Sequence, residues 1–474
     1  MINPTSNYFH IGAATCAFYA IAAGAAQAVT APPGYIYSSQ LLSNLTQSCI
    51  AAGPGGTFVG VGPGFTANAQ SVVLARESGD LRLVVSGFNS IADCAYDAAA
   101  DVLYVTDNAN NLDLGLSGPF GAQSGDTIFA IPSASTASGL SAAGLELLPP
   151  NSLPAAASIA VDASGRVLVG NAAGGGSGGV TSITAGVPTP FLAGLDFPGG
   201  LAIDPTSGNV FLAEFLPSFE NQVRQFTAAA APVPPVPLGG PSFGFGSYDL
   251  AFDGDGQLLV TGAFGGDVVS MDPSTGATTP FASGLTFATG ATLQPFTHRV
   301  EMLSSTFAAL DEDKSLHRFT RIDNLVPGRG SPKTECMHEF YGLAAPDGKS
   351  AICTDGAACD ADGVVNDRCS FPVGFCFNVE DPDFAECDNG GAVSSLKVTA
   401  SPFSPAVADA VVGFTAQLPF AGSTCVFTDG IVVPVKISGS GAKKDGKGKV
   451  QVKTETDAGQ KDSDSLKLVC QPAP

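Results

Sequence analysis

Between residues 90 and 300 the chain repeats one pattern of hydrophobic and polar positions. Each copy has an apolar segment, an aspartate, a turn rich in glycine or polar residues, and a second apolar segment. The clearest copies are C-A-Y-D-A-A-A-D-V-L-Y-V-T-D from Cys94, I-A-V-D-A-S-G-R-V-L-V-G-N from Ile159, L-A-I-D-P-T-S-G-N-V-F-L-A-E from Leu201 and L-A-F-D-G-D-G-Q-L-L-V-T-G from Leu250. The pattern predicts two adjacent β-strands joined by a turn in which Asp bonds its own backbone and Gly takes a positive φ.

The spacing of these copies predicts a β-propeller. The marker aspartates are Asp97, Asp162, Asp204 and Asp253, which are 65, 42 and 49 residues apart. Such intervals suit blades of four short strands with one long insertion. Each copy is followed by a segment with near period-two alternation, as in G-V-T-S-I-T from Gly179, which predicts a further strand. Weaker copies before and after the four predict six blades, with seven as the alternative.

The remaining sequence predicts further units of an all-β protein. We expect a propeller over residues 29–330, a Cys-rich acidic insert over 331–390 and a small β-sandwich over 391–474. The opening strand around Tyr35 is expected to close the ring against the last blade, which removes exposed sheet edges.

Charge distinguishes these units and restricts the class of partner. The formal net charge is −22. Residues 29–335 carry 25 acidic against 10 basic residues, residues 336–390 carry 11 against 2, and the tail carries 7 against 9. A field of this sign repels phosphate backbones and attracts cations, so nucleic acid is not an expected partner. We expect a monomer that binds a small molecule or a cell-surface or protein partner.

The first 28 residues predict a signal peptide. An apolar, Ala-rich stretch over residues 11–26 is followed by Ala26-Gln27-Ala28, the small-x-small pattern of a cleavage site. A membrane anchor is the competing interpretation, but about 16 apolar residues are few for a spanning helix. The expected location is therefore secreted, periplasmic or at the cell surface, without a membrane span in the mature chain.

Ten cysteines remain after removal of the predicted signal, an even number that is typical of an oxidised exported protein. They form three groups, within which disulfide pairing is expected: Cys49 and Cys94; Cys336, Cys353, Cys359, Cys369, Cys376 and Cys387; Cys425 and Cys470. The middle six allow 15 connectivities. A zinc cluster is the alternative there, but these six include no C-x-x-C pair and have only His338 nearby.

The segment F-P-G-G-L-A-I-D from Phe197 to Asp204, together with the repeat, resembles the six-bladed propellers of the NHL-repeat and gluconolactonase (senescence-marker, regucalcin-like) families. The resemblance covers residues 35 to 325. In the lactonases, a Pro-Asp-Gly before the strand supplies an Asp that helps hold a divalent metal in the central channel. The matching position here is Gly199, and its equivalents in neighbouring copies are Ala92 and Tyr248. The resemblance therefore implies the architecture, and a metal-dependent hydrolase only if other residues replace that acid.

Asp93 and Asp249 are the best acidic pair for such a role. Each stands four residues before a marker aspartate, where an inner strand begins at the mouth of the channel. Facing carboxylates suit Ca²⁺ as a cofactor, and a buried carboxyl suits a general base. Capping of exposed turns is the alternative role. Further oxygens at the ends of second strands belong to Asp107, Asn108, Asn171 and Glu214, which are otherwise expected simply to end the strands.

Other catalytic classes find no support in the sequence. Only three histidines follow the predicted signal, and no G-x-S-x-G motif occurs, so nucleophilic catalysis is not indicated. Tryptophan is absent, which argues against a propeller that stacks a quinone cofactor on Trp. We therefore expect an exported binding or scaffold protein with no clear catalytic residues. The alternative is a divalent-metal-dependent, lactonase-like hydrolase that acts at the channel mouth.

Overall fold

The structure is a computed structural model. It describes residues 29–42, 47–64, 66–76, 80–108, 126–153, 155–172, 176–216, 221–233, 247–262, 267–285, 288–294, 299–304, 315–321, 325–327, 337–343, 350–352, 362–371, 373–378, 393–401, 406–410, 416–420, 423–427, 431–438, 447–456 and 461–469. Regular structure in these residues consists of β-strands, with no helix among them.

The first half of the propeller segment contains the opening strand and the first three blades. The opening strand is β1 (Tyr35–Leu41). Blade 1 consists of β2 (Gln47–Gly53), β3 (Gly56–Val61), β4 (Gln70–Arg76) and β5 (Leu81–Phe88). Blade 2 consists of β6 (Ile91–Asp97), β7 (Val102–Asp107) and β8 (Thr127–Pro132), and is followed by the short β9 (Leu140–Ser141). Blade 3 consists of β10 (Ala156–Val161), β11 (Val167–Asn171), β12 (Gly178–Thr184) and β13 (Val187–Leu195).

The next three blades complete the ring. Blade 4 consists of β14 (Pro198–Ile203), β15 (Val210–Phe215) and β16 (Asn221–Phe226). Blade 5 consists of β17 (Ser247–Phe252), β18 (Leu258–Gly262), β19 (Asp267–Met271) and β20 (Thr278–Ala282). Blade 6 contains β21 (Ala288–Gln294), β22 (Arg299–Ser304) and β23 (Ser315–Arg321). Strands of one blade pair antiparallel in chain order, while β9 adds to the outer edge of blade 1 in parallel with β5.

The ring is closed by the opening strand, as predicted. Strand β1 pairs antiparallel with β23, so that blade 6 contains strands from both ends of the propeller segment. The inner strands of successive blades contact one another, and β21 contacts β2. Six inner strands therefore surround one central channel. The prediction of an all-β, six-bladed propeller is confirmed, and the alternative of seven blades is wrong.

Hydrophobic side chains fill the spaces between neighbouring blades. Phe88 and Phe129, from blades 1 and 2, pack edge to face with ring centroids 5.0 Å apart. Phe211 and Phe252 do the same between blades 4 and 5, at 5.4 Å. Such aromatic pairs each stabilise a fold by about 1 kcal/mol beyond their buried area. Side chains alternate between the two faces of a strand. Each blade therefore packs one face on the preceding blade and the other face on the following blade.

The marker aspartates form the turns that the sequence predicts. Oδ1 of Asp162 accepts hydrogen bonds from the backbone N–H of Ser164 and of Arg166, at 2.9 and 3.0 Å. Gly165 lies between these two donors with φ +77°. Asp253 bonds the backbone of its own turn in the same way, and Gly256 there has φ +79°. These aspartates are therefore structural turn residues at the ends of the inner strands.

Buried polar residues hold the junction of blade 6 with blade 1. Glu301 of β22 is fully buried, accepts a hydrogen bond from the hydroxyl of Thr57 in blade 1, and pairs with Arg318 at 3.0 Å. Gln294 donates to the carbonyl oxygens of Gly53 and Gly56, at 3.1 and 2.9 Å. A buried carboxylate is tolerated where a cation and a hydroxyl satisfy it.

Strands continue beyond the propeller. They are β24 (Leu325–Pro327), β25 (Met337–Leu343), β26 (Ala351–Ile352), β27 (Asp362–Phe371), β28 (Val373–Asn378), β29 (Val393–Ser401), β30 (Ala406–Ala410), β31 (Ala416–Phe420), β32 (Ser423–Phe427), β33 (Ile431–Ser438), β34 (Lys447–Thr456) and β35 (Lys461–Val469). One sheet has the order β24-β25-β28-β32-β31, and a second contains β26, β27, β29, β30, β33, β34 and β35. The predicted division at residue 391 stays a prediction.

Candidate functional site: the channel wall

All six inner strands have a β-bulge at the same place. The pairing of each inner strand with the second strand of its blade shifts within the first four residues of the strand, five or so positions before the marker position. A bulge inserts an extra residue and re-aims the side chains beside it. The wall of the channel therefore has a ring of redirected positions near its mouth, and Asp93 and Asp249 belong to this ring.

Asp93 and Asp249 lie on opposite sides of the channel. Asp93 is on β6 of blade 2, and Asp249 is on β17 of blade 5, three blades away in either direction. As whole residues both are half-buried, although their strands are at the centre of the molecule. Exposure at the centre of a propeller is exposure to the channel. The structure thus places the predicted pair at equivalent positions in the channel wall.

Both carboxylates are turned sideways, onto the next blade. Oδ1 of Asp93 accepts the N–H of Cys94 at 2.8 Å, and Oδ2 accepts the N–H of Ile159 in blade 3 at 2.9 Å. Oδ1 of Asp249 accepts the N–H of Leu250 at 2.8 Å, and Oδ2 accepts the N–H of Ala291 in blade 6 at 3.0 Å. Each aspartate therefore fastens its own blade to the following one.

Burial dominates the electrostatics of the pair. Removal from water raises the pKa of Asp93 well above its ordinary value, and the negative charge of Asp249 raises it further. Removal from water also raises the pKa of Asp249, to about 7, against the opposing effect of its two N–H donors. A carboxyl with a pKa near 7 exchanges its proton around neutral pH, which is the property of a general acid or base.

Two threonines support the pair, and sequence reasoning missed them. The hydroxyl of Thr106 on β7 accepts the N–H of Asp93 at 3.0 Å and donates to its carbonyl oxygen at 3.1 Å. Thr261 on β18 makes the same two bonds with Asp249, at 2.9 and 3.3 Å. The sequence held a signal for them, because the two copies with an acid four residues before the marker also share Val-Thr in the second strand.

The other four blades have different residues at this ring position. They are Cys49 in blade 1, Ser158 in blade 3, Gly200 in blade 4 and Gly290 in blade 6. Cys49 forms a disulfide with Cys94 of blade 2, with the Cα atoms 5.5 Å apart. A Cβ placed on Gly200 would lie 2.8 Å from Cα of Asp249 and 3.1 Å from the N atom of Leu250.

A single rule describes these contacts. Gly53 in blade 1 and Gln294 in blade 6 stand at the marker position of their inner strands. The residue four positions before the marker in one blade meets the residue three positions before the marker in the next blade. The rule holds at five of the six junctions, namely Cys49 with Cys94, Asp93 with Ile159, Gly200 with Leu250, Asp249 with Ala291 and Gly290 with Ile50. The ring position therefore serves as the junction between blades, and its chemistry changes from blade to blade.

The predicted oxygens at the ends of the second strands contact nearby loops. Asp107 is fully buried, and its two oxygens accept the N–H of Asn89 at 2.9 Å and of Ser90 at 3.1 Å. The backbone N–H of Asn108 donates to the carbonyl of Ser90 at 2.9 Å. The side-chain oxygens of Asn108 and Asn171 are enclosed, and no hydrogen-bond donor reaches either of them from the residues that the structure describes.

Glu214 has the same arrangement in blade 4. Its Oε1 accepts the N–H of Asp196 at 2.8 Å, and Oε2 accepts from Gln222 at 2.6 Å and from Arg224 at 3.3 Å. Glu214 and Asp107 therefore each tie the end of a second strand to the loop that precedes the inner strand of the same blade. The structure does not bring them together with Asp93 and Asp249 into one group of ligands.

The cysteine predictions are tested in one place. The Cys49–Cys94 disulfide is present as predicted. Cys336, Cys353, Cys359, Cys387 and Cys470 lie outside the described residues, as does the predicted signal peptide. The side chains of Cys369, Cys376 and Cys425 are likewise not among those described, although strand pairing sets residue 376 opposite residue 425.

The channel acids do not fit the divalent metal that a lactonase-like site requires. Ca²⁺ takes six to eight oxygen ligands, commonly from several carboxylates that converge on one point. All four oxygens of Asp93 and Asp249 already accept backbone N–H groups, and each carboxylate is directed to a different junction. Among the residues that the structure describes, no three His, Cys, Asp or Glu side chains come together as a metal site.

Solved structures that are similar in shape to part of this chain include the following three. One is a calcium-binding regucalcin from Agrobacterium tumefaciens, with 13% identity, a TM-score of 0.44, and coverage of 60% of this chain and 93% of that one. Another is a nidogen/laminin complex, with 14% identity, a TM-score of 0.38, and coverage of 56% and 86%. A third is the PQQ-bound aldose sugar dehydrogenase from Streptomyces coelicolor, with 16% identity, a TM-score of 0.42, and coverage of 61% and 99%.

These are similarities of shape, and nothing about the activity or partners of this chain follows from them. No family model matches the chain, and no curated protein matches it. Within the described ranges, no helix is long and apolar enough to cross a membrane.

Proposed function

We propose that this chain is an exported β-propeller that acts as a binding or scaffold module. The observation that carries the proposal is that the carboxylates of Asp93 and Asp249 join neighbouring blades. Every carboxylate oxygen of Asp93 and Asp249 accepts a backbone N–H, and one oxygen of each carboxylate bonds the following blade. Because these two side chains join blades, we infer that a partner binds to the exposed loops and outer strands.

The acidic body favours partners that carry positive charge. Residues 29–335 carry 25 acidic against 10 basic residues, which favours cationic small molecules or basic protein surfaces over polyanions. The predicted signal peptide and the cysteine content support an oxidising location outside the cytoplasm.

A calcium titration of the purified mature protein tests the proposal against a metal-dependent function. We expect no stoichiometric Ca²⁺ by elemental analysis and native mass spectrometry, and no rise in melting temperature up to millimolar CaCl₂. The matched control is the Asp93→Asn/Asp249→Asn double variant, which removes both channel carboxylates. Stoichiometric Ca²⁺ that raises the melting temperature of the wild type, and not of the double variant, would contradict the proposal.

One observation favours a second candidate, a hydrolase that works in the channel mouth. Asp249 has a pKa of about 7 and lies in the channel wall, as a general base requires. Its test is a panel of lactones and aryl esters assayed between pH 5 and 9. A hydrolase predicts turnover with an inflection near pH 7 that is lost in Asp249→Asn. Equal background rates for both proteins would exclude this candidate.

A further inference from the structure

The disulfide and the first channel acid are neighbours in one chain of contacts. Cys49 of β2 is bonded to Cys94 of β6, and the backbone N–H of Cys94 donates to Oδ1 of Asp93. Oδ2 of the same aspartate accepts the N–H of Ile159 in blade 3. Blades 1, 2 and 3 are thus connected through one disulfide and one carboxylate on adjacent residues.

The opposite side of the ring makes the same carboxylate contacts without a covalent link. Leu250 occupies the place of Cys94 beside Asp249, and Gly200 occupies the place of Cys49. Gly200 approaches the backbone of Asp249 so closely that a Cβ would clash. At the ring position, and in addition to the hydrophobic core between blades, blades 4 and 5 therefore meet through backbone packing, whereas blades 1 and 2 are joined by a bond that reduction breaks.

We propose that the Cys49–Cys94 disulfide is a redox-sensitive latch that holds Asp93 in the channel wall. A dithiol supplies two electrons and two protons, the S–S bond breaks, two thiols form, and the dithiol becomes a disulfide. The junction of blades 1 and 2 then loosens, and the contact of Asp93 with blade 3 loosens with it. The two sulfurs belong to residues that are only 2% and 4% exposed, so reduction requires local opening of this junction.

Hydrogen–deuterium exchange, read peptide by peptide on the whole chain, tests the latch. The samples are the oxidised wild type, the wild type after dithiothreitol with alkylation mapping of Cys49 and Cys94, and the Cys49→Ala/Cys94→Ala variant. We expect exchange in β2, β6 and β10 to be about tenfold faster in the last two samples, with β14, β17 and β21 unchanged. This pattern would assign the faster exchange to blades 1, 2 and 3, which the disulfide and Asp93 connect.

Leu250→Ala is the matched control, because it removes a contact at the equivalent place beside Asp249. It should speed exchange in β14 and β17, and leave β2 and β6 unchanged. Equal exchange in oxidised and reduced wild type would overturn the proposal, as would an increase spread evenly over all six blades. If the double alanine variant does not fold, the reduced wild type decides the question on its own.

Discussion

Blades 2 and 5 contain the same local network, and the residues around the two networks differ. In both blades an aspartate at the bulge bonds the following blade, and a threonine on the second strand bonds the backbone of that aspartate. Beside Asp93 the preceding blade is attached by a disulfide, whereas beside Asp249 it is attached by the close approach of Gly200. The comparison shows that one ring position supports covalent, polar and steric junctions without a change of fold.

The difference also bears on how the channel acids should be interpreted. A metal or catalytic site requires side chains that converge on a ligand. The channel acids instead follow a rule of blade-to-blade contact that glycine and cysteine obey as well. A role in blade assembly explains both aspartates together with their non-acidic equivalents, which a ligand site would not.

Removal of the disulfide is the change with the largest expected effect on the comparison. The bond closes a loop with a sequence separation of 45, and the chain-entropy relation gives a loss of about 4 kcal/mol in the free energy of unfolding. Denaturant unfolding of Cys49→Ala/Cys94→Ala against the wild type measures it. A loss below about 1 kcal/mol would mean that the two halves of the ring are equally held without the bond.

Adding a methyl group at the glycine junctions should have the next largest effect. In Gly200→Ala the new Cβ meets backbone atoms of Asp249 at 2.8 Å, and backbone cannot turn aside. In Gly290→Ala it meets Cγ2 of Ile50 at 2.7 Å, which is a side-chain atom that can rotate away. We expect Gly200→Ala to cost about 2 to 3 kcal/mol and Gly290→Ala about 1 kcal/mol.

Gly64→Ala is the control for these two variants. The nearest atom to its added Cβ would be 3.5 Å away, in ordinary van der Waals contact. Its melting temperature should stay within experimental error of the wild type. If Gly200→Ala were equally harmless, the backbone packing of blades 4 and 5 would not be what replaces the disulfide.

Substitution of the two threonines tests whether the networks are equivalent. Thr106→Val and Thr261→Val keep the shape of the side chain and leave the N–H of Asp93 or Asp249 without its acceptor. Each change should cost about 1 to 2 kcal/mol in denaturant unfolding, because both hydroxyls are buried. A cost at Thr106 that disappears when the disulfide is absent would show that the two contacts act as one unit.

The sequence predicts the propeller better than it predicts the junctions. The marker aspartates and period-two strands follow from turn chemistry and alternation, which are local properties of the chain, so the blades and the closing strand could be placed. Asp93 and Asp249 could be placed as well, because their distance from the marker positions fixes where they lie on the inner strands. The contacts of their carboxylates could not be predicted, since backbone N–H groups of Ile159 and Ala291 leave no sign in the residue letters.

The glycines show the same limit. In the sequence, Gly199 is the residue that matches the position of a lactonase acid, whereas in the structure Gly200 makes the close contact with blade 5. Distances between blades arise from packing of the whole ring, and no local pattern reports them. Thr106 and Thr261 could have been predicted in part. The two copies with an acid four residues before the marker share Val-Thr in the second strand, which the other copies lack.

The smallest expected effect is the pH dependence of stability that the channel acids add. The folded state raises the pKa of Asp249 from 3.8 to about 7, so between these values the folded protein binds more protons than the unfolded chain. The stabilising effect of this protonation is present below pH 3.8 and is lost as the pH rises through 7. The melting temperature should therefore fall by a few degrees from pH 5 to pH 8, and Asp249→Asn should flatten the slope.

Asp272→Asn is a control at an aspartate whose pKa changes in the opposite direction. Bonds from Ser274 lower the pKa of Asp272, so its contribution is present above pH 3.8, is lost only in more acidic solution, and adds no slope between pH 5 and 8. Asp93→Asn should flatten the slope as Asp249→Asn does, because burial and, after it, the negative charge of Asp249 raise the pKa of Asp93 as well. If only one of the two variants changed the slope, the two halves of the ring would differ in their electrostatics as well as in their junctions.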